Sequence, residues 1–179
     1  MIKCGVSARH VHLCQRDIDI LFGKGYEFKK LKDTYNPGWV TTSKLGSFLP
    51  LDFCESRVLM PATLVSQIEV SKSDCVRYGI EAPLRRSLDI KDAPKVSVYS
   101  KTGKTEVSVI RTKRHLHLTP KEAEILFLKD GDYCAVEAGT VLFKEVLVRV
   151  GDYKASFHID TDEGNAARVK DGDEAVVVR

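Results

Sequence analysis

Histidine is scarce in this chain, and four of its five histidines stand in two H-x-H pairs, His10 with His12 and His115 with His117. Residues two apart in a β-strand point to the same face of the sheet, with Cα atoms about 6–7 Å apart. One pair can therefore hold one metal ion, and the neutral imidazole nitrogen is a ligand suited to zinc and other late first-row metals. Two pairs predict two adjacent metal ions.

Each of these features also has a plainer interpretation. A single H-x-H pair is equally typical of a surface or partly buried strand. His158 lies between Phe157 and Ile159, and a lone histidine among apolar neighbours is typical of a protein core. For Glu69, on another β-type segment, spacing alone favours an outward carboxylate that pairs with a lysine. For the two H-x-H pairs, their recurrence at equivalent positions favours metal binding. For His158 and Glu69, the residues alone favour the plainer interpretation.

The two pairs belong to an internal repeat. Residues 9–13 (RHVHL) align with 114–118 (RHLHL) at a shift of 105 positions, since 115 − 10 = 105. The similarity continues downstream, where the acidic and apolar positions of 17–22 meet those of 122–127. The chain therefore contains two structurally related halves.

In each half a β-like segment, 5–13 and then 107–118, runs into a short predicted helix. The second helix carries its own start signal, with Thr119 as N-cap, Pro120 at the first helical position and Glu122 completing a capping box. The repeat thus places each H-x-H pair at the end of a strand, directly before a helix.

Short strands and tight turns account for most of the remaining pattern. The predicted elements are a hairpin of 96–99 with 106–109, strands at 134–137 and 175–178 that each follow a Lys-Asp-Gly-Asp turn, a helix at 71–78 closed by Gly79, and an irregular loop at 33–50 that contains Pro37 and Trp39. Many short strands with few short helices favour small barrels over a doubly wound sheet. The sequence predicts a mainly β (α+β) fold of two related small β-barrels capped by short helices, divided into residues 1–104 and 105–179, with strand exchange between the halves left open.

Bulk composition excludes several classes of protein. Basic and acidic residues (28 and 25, net charge +3) are spread along the chain, so that nothing indicates a nucleic-acid partner, whereas anionic small molecules remain candidate ligands. Five cysteines without a C-x-x-C pair or a signal peptide predict reduced thiols in a cytoplasmic protein. The apolar runs have the length of strands, far below the roughly 20 residues of a spanning helix.

A family resemblance rests on motifs that follow one another over nearly the whole chain. They are GVSARHVHL at 5–13, QIE at 67–69, APLR at 82–85, RHLHL at 114–118, and HIDTDE with NAA at 158–163 and 165–167. Together and in this order, they resemble the PduL family of phosphotransacylases, the phosphate propanoyltransferases.

This resemblance implies two helix-capped β-barrels with an active site at their junction, and an enzyme that exchanges phosphate for coenzyme A on a short acyl group. It also implies two zinc ions, one held by His10, His12 and Glu69 together with the coenzyme A sulfur, the other by His115, His117 and His158 with waters. It further implies a homodimer and a link to propanediol degradation and bacterial microcompartments. No microcompartment-targeting extension is visible before the first strand, so a cytoplasmic enzyme is the expectation, with the microcompartment lumen as the alternative.

The chain departs from the family pattern at one position. The family has a phosphate-binding arginine six residues before the glutamate ligand, and this chain has Thr63 there, which lacks the charged fork of a guanidinium. Arg9 and Arg114, which adjoin the histidine pairs, are the first candidates to replace it, followed by Arg85 and Arg57.

The sequence leaves three functions open. The first is an acyltransferase that uses metal ions and no protein nucleophile. The second is a weak or inactive paralogue that retains metal and coenzyme A binding. The third is a hydrolase that uses zinc-bound water. For the acyltransferase, a cysteine nucleophile is the rival mechanism, although no thiol such as Cys14 stands in a recognisable Cys-His arrangement.

Overall fold

The computed structural model describes residues 1–35, 38–50 and 52–178. Its strands are β1 (Ile2–Ser7), β2 (His10–His12), β3 (Lys30–Asp33), β4 (Trp39–Phe48), β5 (Phe53–Met60), β6 (Gln67–Glu69), β7 (Leu84–Arg85), β8 (Lys95–Tyr99), β9 (Lys104–Thr112), β10 (His115–Leu118), β11 (Tyr133–Ala138), β12 (Val141–Val150), β13 (Ser156–Asp160) and β14 (Glu174–Val178). Its helices are α1 (Gln15–Phe22), α2 (Lys72–Tyr78), α3 (Pro120–Leu126) and α4 (Thr161–Ala167). Within these ranges, no helix has the length and apolarity that crossing a membrane requires.

The chain divides into two compact units. The unit here called the first barrel contains residues 9–33 and 38–112, and the unit called the second barrel contains residues 1–8, 34–35 and 113–178. The first barrel is a closed ring of strands in the order β4-β5-β2-β6-β9-β8, because β8 pairs with both β9 and β4. Strands β3 and β7 extend this ring at β4 and β9. The second barrel is closed in the order β1-β13-β10-β12-β11-β14.

The two barrels use the same local topology around their H-x-H strands. In the first, β2 lies between β5, which is parallel to it, and β6, which is antiparallel. In the second, β10 lies between the parallel β12 and the antiparallel β13. The repeat in the sequence is therefore a repeat of strand neighbours as well.

Each barrel has its own apolar core, which is built by alternation along the strands. Val11 of β2 and Ile68 of β6 are buried in the first core. Leu116 of β10 and Phe157 of β13 hold the corresponding positions in the second. Since neighbouring residues of a strand point to opposite faces, the histidines on either side of Val11 and Leu116 face away from these cores.

Capping residues fix the helices that follow the site strands. Thr119 accepts a hydrogen bond from the Glu122 amide, and the Glu122 carboxylate accepts one from the Thr119 amide, which confirms the predicted capping box of α3. Ser71 caps α2 in the same way, and Gly79 ends that helix in the left-handed conformation, as predicted. The fold predicted from the sequence, two small β-barrels with short helices, is confirmed.

Three local predictions differ from the structure. The β-like segments 5–13 and 107–118 are each two strands, because the chain passes from one barrel to the other between Ala8 and Arg9 and between Thr112 and Lys113. For the same reason the first barrel ends at residue 112, not at 104, and β1 pairs with β13 and β14 of the second barrel, which is the strand exchange that the sequence left open. The irregular loop predicted at 33–50 was wrong where the ten-residue strand β4 lies, while Pro37 falls outside the described residues.

Candidate metal centres

The first group of candidate ligands, here called the first trio, comprises His10, His12 and Glu69. His10 and His12 lie on β2, and Glu69 is the register partner of His10 on the antiparallel strand β6. All three side chains are turned away from the core yet are largely buried, since His10 exposes 8%, His12 20% and Glu69 11% of its side chain. The fold thus gathers two imidazoles and a carboxylate in a partly desolvated pocket.

The distances within the first trio match those of a metal site. The Nε2 atoms of His10 and His12 are 3.2 Å apart, and the Glu69 carboxylate oxygens lie 3.3 Å and 3.5 Å from them. Zinc bonds of about 2.0–2.1 Å in tetrahedral geometry place neighbouring ligand atoms about 3.3–3.4 Å apart. The two short contacts of the carboxylate use different oxygens, Oε2 towards His10 and Oε1 towards His12. One donor atom from each of the three residues lies within 4.8 Å of the other two, and the donors are of the types that zinc prefers.

Hydrogen bonds hold the Glu69 carboxylate in this orientation. Its Oε1 accepts from the Gln67 amide at 2.6 Å and from the Ser87 hydroxyl at 2.6 Å. The side-chain carbonyl oxygen of Gln67 in turn accepts a hydrogen bond from the Leu88 backbone amide at 2.9 Å. Burial alone would raise the pKa of Glu69, but the two imidazoles and Ser87 together hold this pKa well below its usual value. The side chain is therefore an anionic ligand at neutral pH.

The second group, here called the second trio, comprises His115 and His117 of β10 and His158 of β13. Their ring centroids are 4.7–5.0 Å apart, so that the three imidazoles are close neighbours on the strand pair. Among the described residues, the first trio is the group whose donor atoms all lie within 4.8 Å of one another. His117 is 1% exposed and His158 8% exposed. The contact of His115 Nδ1 with the Lys113 carbonyl at 2.9 Å assigns the ring proton to Nδ1, which leaves the lone pair of the neutral ring on Nε2.

A glycine makes room for the third imidazole. Gly5 is the register partner of His158 on β1, and a Cβ atom at position 5 would lie 2.8 Å from the His158 ring. Such contacts are sterically excluded, so any side chain here would displace the ring. Gly5 therefore belongs to the support of the second trio.

The two trios are built on one plan with one exchange of ligand. Glu69 lies opposite His10 across an antiparallel pair, and His158 lies opposite His115 in the same way. The residue two positions earlier supports the third ligand in each case, because Gln67 bonds Glu69 and the Ser156 hydroxyl lies 2.9 Å from His158 Nε2. One site therefore includes a carboxylate, and the other consists of neutral imidazoles.

Comparisons with known proteins identify the family of this chain. A family model described as phosphate propanoyltransferase matches residues 3–170. Among curated proteins with that name, the one from Thermotoga maritima is 39% identical, covering 99% of this chain and 89% of its own length. The one from Lachnoclostridium phytofermentans is 37% identical, covering 96% and 84%. The chain belongs to the phosphate propanoyltransferase family. It is accordingly an acyltransferase, as the sequence motifs predicted.

The arginines that adjoin the ligand pairs of this phosphate propanoyltransferase family member are already bound to carboxylates. Arg9 forms an ion pair with Asp74 and lies over the ring of Tyr78. Arg114 pairs with Glu163 at 3.1 Å. Both guanidinium groups are thus partly neutralised by their neighbours, which weakens their case as phosphate ligands.

The remaining candidates for substrate binding, Thr63, Arg85 and Arg57, lie in different environments. The Thr63 hydroxyl donates to backbone carbonyls, to Val65 at 2.8 Å and to Leu13 at 3.3 Å, so its polar group serves the local turn. Arg85 has a buried Nε atom that, among the described residues, bonds to no acceptor. Arg57, the last candidate, donates to the Thr42 carbonyl at 3.3 Å.

Sequence reasoning missed the residues that support the ligands, namely Gln67, Ser87, Ser156 and Gly5. Two of them carried a readable signal. Gln67 and Ser156 each stand two residues before a third ligand, and this spacing places a polar side chain on the same strand face as that ligand. Ser87 is remote in sequence from Glu69, so only the fold shows their contact.

We expect the Gln67→Leu variant to bind zinc at the first trio about 10–100-fold more weakly, because loss of an outer-shell hydrogen bond costs this much affinity at comparable sites. Competition with a chromogenic chelator measures the change. Gln15→Leu, the same substitution on the exposed surface of α1, is the matched control. Equal zinc affinity in the Gln67→Leu and unsubstituted proteins would show that Gln67 does not position Glu69.

Proposed function

We propose that this chain is a phosphate acyltransferase that interconverts a short-chain acyl-CoA and phosphate with an acyl phosphate and coenzyme A. We propose two zinc ions as its cofactors, one held by the first trio and one by the second. The observation that carries this proposal is the set of donor distances of 3.2–3.5 Å in the first trio. Relatives named phosphate propanoyltransferase support both phosphate and a propanoyl group as substrates.

In the forward reaction a phosphate oxygen attacks the thioester carbonyl, the carbon–oxygen bond forms, and the carbon–sulfur bond breaks to release a thiolate. Zinc, when bound, supplies Lewis acidity that lowers the energy of the departing thiolate and of negative charge on the acyl oxygen. The chain's own contribution is to fix the donors in advance. His10, His12 and Glu69 are held by strand pairing and by the Gln67 and Ser87 hydrogen bonds, so little reorganisation accompanies the reaction.

The ligand types make the two centres unequal in charge. One carboxylate and two neutral imidazoles leave a net charge of about +1 with a divalent ion, whereas three neutral imidazoles leave about +2. A phosphate dianion is attracted more strongly to the second. The exchange of Glu69 for His158 between the repeats thus favours phosphate binding at the second trio.

The thiols do not support a covalent mechanism. Burial raises the pKa of Cys4 and of Cys134 to about 11, and it also raises the pKa of Cys54 and Cys75. Since the thiolate is the nucleophile, these four side chains are unreactive at neutral pH. Cys14 Sγ contacts Asp17 and Ser66, each at 3.4 Å.

We expect Cys14→Ala to retain kcat/KM within about twofold, because no covalent enzyme intermediate is needed and Cys14 contacts no ligand of either trio. Steady-state rates of phosphate-dependent thiol release measure this. A loss of about 100-fold or more, with unchanged zinc content and melting temperature, would instead identify Cys14 as a nucleophile.

The activity itself is tested by following thiol release from acetyl-, propanoyl- and butanoyl-CoA with zinc-loaded protein. Release that requires phosphate and yields an acyl phosphate supports the acyltransferase. Thiol release at a rate that does not depend on phosphate would indicate a hydrolase that uses zinc-bound water. Coenzyme A binding without turnover would leave only the binding function.

A second candidate function is that of a weak or inactive paralogue that binds metal and coenzyme A, and Thr63 favours it. A charged hydrogen bond contributes about 1.5–3 kcal/mol, which corresponds to roughly 10–150-fold in phosphate affinity. If the missing guanidinium limits the reaction, Thr63→Arg will lower the KM for phosphate by at least about tenfold. Under our first proposal we expect a change of less than about threefold, because another residue then binds phosphate.

A further inference from the structure

Arg149 of β12 lies on the same outward face as the second trio. It is the register partner of His117 on the parallel strand pair β10–β12. Its neighbours Val148 and Val150 pack in the barrel core. Because alternate residues of a strand point to opposite faces, the Arg149 side chain is on the face that carries His117.

Tyr153 links the guanidinium to the histidines. Its ring stacks on the His117 ring at a centroid distance of 4.0 Å and an interplanar angle of 16°. The Arg149 Cζ atom lies 5.9 Å from the centroid of the same tyrosine ring. The aromatic ring therefore orients both the imidazole and the cation, and it limits the conformations of each.

The guanidinium has no polar partner in the described part of the chain. It forms no ion pair and no side-chain hydrogen bond there, and its Nε atom is buried. Of the five N–H donors in the planar fork, Nε–H is buried without an acceptor, which is unfavourable, while the side chain as a whole is half-buried. Arg114, which directly precedes β10, the strand partner of β12, already has its acceptor in Glu163. Arg149 is thus a cation on this face with donors to offer.

We propose that Arg149 binds a phosphate group beside the second trio and supplies the guanidinium that Thr63 cannot. The planar fork fits two phosphate oxygens at once, and the positive charge adds to that of the centre. The proposal deepens the acyltransferase function and rests on it for the identity of the reacting phosphate. The phosphate group could come from inorganic phosphate or from coenzyme A, and the two are distinguished below.

The test compares zinc-loaded Arg149→Met and Arg149→Lys proteins with Lys144→Met, which removes one charge from an exposed position of the same strand. Titration calorimetry with inorganic phosphate measures binding without requiring turnover. We expect Arg149→Met to weaken phosphate binding at least about tenfold, Arg149→Lys to recover part of the loss, and Lys144→Met to change it less than about twofold. Zinc content and melting temperature report whether each variant keeps its site and fold.

A second titration, with coenzyme A, identifies the source of the phosphate group. Weaker binding of inorganic phosphate with unchanged binding of coenzyme A assigns Arg149 to the reacting phosphate, and the reverse assigns it to coenzyme A. Unchanged binding of both overturns the proposal. So does loss of zinc in both Arg149 variants, which would make the arginine structural. If phosphate-dependent thiol release is absent while phosphate binding depends on Arg149, the acyltransferase proposal fails and this inference stands.

Discussion

Glu69→Gln is expected to lower kcat/KM for phosphate-dependent thiol release by about 100-fold or more, and to lower zinc content from two ions per chain towards one. The carboxylate is the only anionic ligand of the first trio, and its two oxygens lie 3.3 Å and 3.5 Å from the His10 and His12 nitrogens. A neutral amide is a much weaker zinc ligand. Loss of about 3 kcal/mol of transition-state stabilisation corresponds to roughly 100-fold in rate.

The matched control for this substitution is Glu55→Gln. Glu55 is an exposed carboxylate of β5 that pairs with Lys44 at 2.9 Å, and it contacts neither trio. We expect the kcat/KM and the zinc content of the Glu55→Gln variant to stay within about twofold of the unsubstituted protein, since exposed ion pairs contribute little to stability. Metal analysis and steady-state kinetics on both variants provide the comparison. Full zinc content and full activity in Glu69→Gln would remove Glu69 from the ligand set.

Much of this architecture could be predicted from the sequence, because the relevant signals are local. The capping residues around Ser71 and Thr119 act within one helical turn, and the Lys-Asp-Gly-Asp turns act within four residues. The H-x-H spacing places two imidazoles on one strand face wherever the strand lies. These features depend on short-range geometry and do not require knowledge of the fold.

The features that could not be predicted depend on strand partners that are distant in sequence. Gly5 reads as a residue of the strand that leads to His10, yet β1 pairs with β13 and serves His158. Ser87 and Leu88 reach Glu69 and Gln67 of β6 only in the folded chain, since about 20 residues separate the two segments in sequence. Trp39 opens β4, which pairs with β5 and β8, and its segment begins with four residues of types that favour strands, a signal that the predicted loop overlooked.

Under the function proposed above, the exchange of one candidate ligand between the repeats gives the two centres different charges. The parallel and antiparallel neighbours are the same around β2 and β10, so a change of one side chain, Glu69 against His158, alters the charge of the centre without altering the fold. The polar residue two positions before the third ligand changes with it. Gln67 donates its side-chain amide to the Glu69 carboxylate, whereas the Ser156 hydroxyl contacts the His158 imidazole.

Removal of zinc with a strong chelator is expected to lower phosphate-dependent thiol release to below about 1% of its starting rate, and two equivalents of zinc per chain are expected to restore it. The protein should stay folded throughout. The six ligands lie on the faces of the sheets that are turned away from the two apolar cores, and those cores contain fully buried residues such as Val11, Ile68, Leu116 and Phe157.

A barrel with a complete core of its own differs from a zinc finger, in which metal binding supplies the free energy of folding. We therefore expect far-ultraviolet circular dichroism of the chelated protein to match that of the zinc-loaded protein. The free energy of unfolding should fall only by the contribution of zinc binding to the folded state, about 3–4 kcal/mol per site at zinc concentrations 100–1,000 times the Kd. The melting temperature should fall accordingly. Cooperative unfolding on chelation at room temperature would contradict this view, because it would mean that the trios stabilise the barrels. Reversible loss of activity in a folded protein would locate the chemistry in the six ligands.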